Sequence, residues 1–149
     1  MVTVEDMLAR AQDFERRLEA YYADLRDRST VDGVRLLTHY LARHRRHLPE
    51  ALGAYSPSEL GQLGRVPLKC DDTDFDPAKC FEGKRVPSNV TGDELLGVAI
   101  GFVENLITFY RWLVVQPMGE EARGLFQSLL QIEEKHVIEL KKIRAMHYF

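Results

Sequence analysis

At 149 residues, 45% hydrophobic and 29% charged, the chain has enough material for one globular domain, residues 1–149, and gives no case for two. Its 20 basic and 23 acidic side chains, formal net charge -3, are spread along the sequence, which argues against a surface field for nucleic acid. No stretch approaches about eighteen uninterrupted apolar residues, and Met-Val-Thr-Val-Glu-Asp lacks a basic segment followed by an apolar run, so a cytoplasmic protein with no membrane partner is expected.

The first helix is expected over residues 4–28, where Leu8, Ala11, Glu15, Leu18, Tyr22 and Leu25 make one stripe with Glu15 as its only charged member. Tyr22 on that stripe can relay an electron or fill the core. Ser29, Thr30 and Asp32 supply capping chemistry for a second helix over 30–53. Its inward stripe is Leu37, Tyr40, Leu41, His44, Leu48 and Ala51, with His47 beside His44 and Pro49 set to kink or end it. His39 lies about 140° around the helix from His44 and misses that face. Arg43, Arg45 and Arg46 spread over the solvated side, as charge runs usually do.

Residues 56–90 hold four of the six prolines, both cysteines and the acids Asp71, Asp72, Asp74 and Asp76, without a sustained period, and read as a long connection. Ser56-Pro57-Ser58-Glu59 is a capping box for one short helix near 58–63. Cys70 and Cys80 make no disulfide framework and are expected to be reduced, in a loop. A second capping box, Thr91 to Glu94, opens a third helix over 91–116, stopped by Pro117. Its stripe is Gly97, Ile100, Glu104, Ile107 and Val114, with Arg111 on the same line. This helix is apolar nearly all round, so either the long connection or a second subunit covers it, and a homodimer through helix three is expected.

The fourth helix, over 120–146, places Glu133 and His136 three residues apart on one face among Phe126, Leu129, Leu130, Val137, Leu140 and Ile143. A buried carboxylate needs a cation, a proton or several donors. Adding 89 to a residue number in the first hairpin finds its counterpart in the second: Glu15 falls on Glu104, His44 on Glu133, His47 on His136, Leu36 on Leu125, Leu37 on Phe126 and Tyr21 on Tyr110. Two hairpins would thus bring six polar groups, Glu15, His44, His47, Glu104, Glu133 and His136, into one layer, a dinuclear cage whose carboxylates and imidazoles suit iron, manganese or zinc. If a pseudo-twofold relates the hairpins, helices two and three run parallel. The connection must then travel back along a bundle of about 36 Å.

In these residues the chain resembles the rubrerythrin-like branch of the ferritin-like, diiron-carboxylate family: one Glu from each of two helices, and a Glu-x-x-His motif from the others. The resemblance implies an all-α fold, an antiparallel four-helix bundle of two hairpins joined by a long crossover. It also implies terminal carboxylates at Glu15 and Glu104, a bridging carboxylate at Glu133, and imidazole ligands at His47 and His136. Family members oxidise ferrous iron, reduce peroxide or activate oxygen, so a diiron-type oxidoreductase, a peroxidase or ferroxidase, is implied. Two departures stand out. His44 occupies the place of the second bridging glutamate and cannot bridge two ions, which makes a mononuclear site or zinc an alternative to two irons. The Cys-x-x-Cys pairs of a rubredoxin-like module are missing, so redox activity would need an external electron donor. The competing expectation is a metal-free bundle, with Arg111 and protonated His44 neutralising the glutamates, that acts as a binding module.

Overall fold

The computed structural model describes residues 2–43, 47–70 and 73–148 of this protein, and it is all-α apart from two very short strands. Thr3 caps α1 (Val4–Arg28): its hydroxyl accepts from the Asp6 N–H, and the Asp6 carboxylate accepts from the Thr3 N–H at 2.8 Å. The same reciprocal device opens α4 (Pro57–Gly64) at Ser56 and Glu59, and α6 (Gly92–Val114) at Thr91 and Glu94. Helix α7 (Glu120–Ala145) starts after Gly119 with Glu120 and Glu121 in its first turn, where acidic side chains suit the helix dipole. The second expected helix is described as α2 (Asp32–Arg43) and α3 (His47–Leu52). Pro49 does not end it there, since the Gly53 N–H donates to the Pro49 carbonyl at 2.8 Å.

Two apolar clusters fill the interior. One gathers the first half of α1, Leu48 of α3, the second half of α6 and the first half of α7, around Phe14, Phe102, Tyr110 and Phe126. The other gathers the end of α1, the start of α2, the start of α6 and Leu140 of α7, around Leu25, Leu37, Leu95 and Leu96. Because the starts of α2 and α6 share a cluster with the ends of α1 and α7, α2 and α6 run the same way and α1 and α7 the other.

The long connection is structured, and the sequence signals only part of it. Besides α4 it contains β2 (Pro67–Leu68), which pairs antiparallel with β1 (Val2–Thr3), and α5 (Pro77–Cys80), capped by Asp76. Cys80 is therefore the last residue of a helical turn rather than a loop residue, and the two cysteines are not joined in a disulfide. The connection is fastened along α1 by hydrogen bonds that the Arg10 guanidinium donates to the carbonyls of Thr73 and Phe75, Tyr21 Oη to Lys84, and Arg28 to Val86. Its aromatic rings cover α6, with Phe75 stacked on Phe109 at 4.1 Å and Phe81 on Phe102 at 4.5 Å. The connection thus covers much of the aromatic side of the third long helix and leaves a groove open along its edge. Among the described residues no helix is long and apolar enough to cross a membrane.

Candidate metal centre

The interval between the two apolar clusters holds the buried carboxylate and imidazole side chains of the core, while the buried hydroxyls of Ser29 and Thr38 lie by the second cluster. On α1 Glu15 lies between Phe14 of one cluster and Tyr22 of the other, and on α7 Glu133 and His136 lie between Leu129 and Leu140. His47 begins α3 just before Leu48. Helix α6 meets this level with Leu106 and Ile107, both apolar.

Glu133 and His136 are each only 6% exposed, which places the motif in the core, as its flanking leucines require. The His136 Nδ1 lies 3.7 Å from Glu133 Oε2, longer than a hydrogen bond. Such an approach would suit an ion pair, yet burial pushes both groups toward their neutral forms. The Glu133 carboxyl is raised to about 7 by desolvation, with the charge of His47 pulling against it. His136 is lowered to about 4 by desolvation, His47 adding to the effect and Glu139 opposing it. We take the neutral pair as the resting state near pH 6, because desolvation dominates both shifts. The His47 and His136 rings meet edge to face with centroids 6.1 Å apart.

Glu15 is half-buried. One of its carboxylate oxygens is sealed in the core, as are Nδ1 of His47 and Nε2 of His136. It also lines a groove of about 610 Å3 with Gln12, Arg16, Glu19, Leu48, Pro49 and Leu52, so it stands between solvent and the inner residues. Sequence reasoning missed Tyr110, which is 1% exposed and feels the charges of both Glu133 and Glu15. Burial first, then those two carboxylates, hold its phenol far above the usual tyrosine range. Its one signal in the sequence was its place opposite Tyr21 in the repeat.

One of the six expected ligands is not in this group. Glu104 is exposed on α6, which corrects its expected inward place, whereas Ile100 and Ile107 of the same stripe are buried as expected. The face that packs inward carries Leu96, Ala99, Val103, Leu106, Tyr110 and Leu113, and one residue step from Val103 to Glu104 turns about 100° away from it. Arg111 shares the outward line and pairs at 3.2 Å with Glu134, so it neutralises neither Glu104 nor Glu133. His44 lies outside the described residues. The +89 repeat also fails in detail, since Leu36 is 63% exposed where its counterpart Leu125 is 1% exposed.

The donors that do gather, carboxylates from Glu15 and Glu133 and imidazoles from His47 and His136, are of the kind that bind a borderline divalent ion. Among the described residues no three His, Cys, Asp or Glu side chains are disposed around one ion. With Glu104 exposed, the full six-ligand set is not assembled among the described residues. In comparisons with known proteins, the chain matches no family model, no curated protein and no solved structure.

Proposed function

We propose that this chain forms a ferritin-like four-helix bundle of α1, α2 with α3, α6 and α7, and that its core binds one divalent transition-metal ion. Glu133, His136, His47 and Glu15 would hold the ion, with iron as the leading candidate and manganese or zinc as alternatives. The single observation that carries this reading is a carboxylate sealed beside two imidazoles in a core whose other buried polar side chains are the hydroxyls of Ser29, Thr38 and tyrosines. A cation would release the desolvation that now holds a proton on Glu133. Binding asks the four side chains to rotate toward a common centre, and the groove at Glu15 gives the ion and small molecules access. With iron bound, the site would supply redox chemistry on oxygen, peroxide or ferrous iron, fed by an external electron donor. Tyr110 would keep its proton beside the site, being strongly disfavoured as a phenolate.

One observation favours a second reading. Glu104 faces outward and no three ligands converge among the described residues, which suits a metal-free bundle that serves as a binding module with Glu133 protonated. Elemental analysis of protein purified without chelator separates the two. The metal reading expects about one equivalent per chain, lost in His136→Ala and kept in Glu104→Gln. Wild type without metal, or equal metal in His136→Ala, would overturn it and leave the binding module.

A further inference from the structure

A groove runs along α6 beneath α5, away from the core cluster, in two stretches of about 460 and 550 Å3 that share Lys79, Cys80 and Asn105. The stretch toward the start of α6 is lined by Lys84 and Gly101 and carries only positive charge. The stretch toward its end is lined by Asp74, Asp76 and Trp112, and both of its acids are exposed. Asn105 sits between them, about one helical turn from Gly101 and roughly 5–10 Å from the Thr108–Trp112 end. Space above Gly101 is open, with no atom within 4 Å of where a Cβ would stand.

We propose that this groove seats a second copy of the same chain, packed antiparallel across α6 with the two-fold axis passing near Asn105. The charge order selects both the occupant and the axis. A two-fold perpendicular to α6 lays the Lys84 end of one copy on the Asp74 end of the other, twice over. A two-fold along α6 would set lysine against lysine and acid against acid. At the axis Asn105 meets its own copy, and a side-chain amide can both donate to and accept from its like. The bare surface at Gly101 lets the second helix approach closely, as a larger side chain would not. The stacked rings of Phe75 and Phe109, with Trp112 and Phe102, form the apolar wall of this groove, and the charged ends flank it. It does not depend on metal in the core.

Sedimentation equilibrium of the full chain tests the proposal. Wild type is expected to be dimeric. Lys84→Glu and Asp74→Lys should each weaken the dimer about tenfold, because every charge occurs twice across the axis and now faces its like. The double variant should restore it. Gly101→Trp, whose side chain enters open space and leaves the fold intact by circular dichroism, should give monomer. A monomeric wild type, single reversals that dimerise like wild type, a double variant that does not recover, or a dimeric Gly101→Trp would each overturn the proposal.

Discussion

Glu133 and His136 make opposite contributions to the pH dependence of stability, and substituting either one should unmask the other. In metal-free, chelator-treated protein, Glu133 holds its proton up to about 7 in the fold, against 4.5 for an ordinary glutamate. Its contribution is fully present below pH 4.5 and is lost as the pH rises to about 7, a change of about 3 kcal/mol at 1.36 kcal/mol per pH unit. His136 is held neutral down to about 4, against 6.5 for an ordinary histidine. Its contribution is present above pH 6.5 and is lost as the pH falls through about 4, again about 3 kcal/mol. Between these limits the two slopes nearly cancel in wild type. Glu133→Gln keeps the shape and removes the acid. The difference in unfolding free energy, Glu133→Gln minus wild type, should then climb by about 3 kcal/mol between pH 4.5 and 7. The difference for His136→Gln should fall by a similar amount between pH 4 and 6.5. Urea unfolding followed by circular dichroism across this range reads both. A difference that stays flat for Glu133→Gln would mean that the carboxylate is ionised and solvated in the fold, and the account of the core cluster would fail.

Three further perturbations address the packing. Phe14→Ala removes a fully buried ring that touches Phe75, Phe81 and Phe102; it should cost about 4 kcal/mol in urea unfolding and speed hydrogen exchange in residues 73–90. Gly124→Ala fills open space inside α7, where no atom lies within 4 Å, and should stabilise by about 0.5–1 kcal/mol in the same assay. Thr91→Ala removes the hydroxyl that accepts from the Glu94 N–H at 3.1 Å and should cost about 1 kcal/mol, seen as a lower unfolding midpoint.

Local chemistry was legible where one side of a helix differs from the other. The bounds of α1 follow from the Leu8-to-Leu25 stripe, and the starts of α4 and α6 follow from capping boxes whose hydrogen bonds are formed. The inward orientation of Glu133 and His136 follows from the apolar residues three and four positions away. The strand pair between residues 2–3 and 67–68 could not be read, since neither two-residue piece has a period of its own and each exists only by pairing with the other. Nor could α5, one turn fixed by the Asp76 cap and by packing of its neighbours Phe75 and Phe81 on α1 and α6.

The misplaced Glu104 shows why a repeat is weaker than a buried motif. A helix that is apolar on most of its circumference gives several stripes of similar quality, and the stripe through Gly97 and Ile107 stands out among them in carrying a glutamate that matches Glu15. Which stripe turns inward is decided by what covers the remainder, and that is settled by Phe75 and Phe81, far away in sequence. With those rings packed on Phe109 and Phe102, the adjoining face with Val103, Leu106 and Tyr110 is buried as well, and Glu104 stands exposed. Helix α7 had no such freedom: Glu133 and His136 lie on its only apolar face, so no rotation could bury Phe126, Leu129 and Leu140 while leaving those two residues in water.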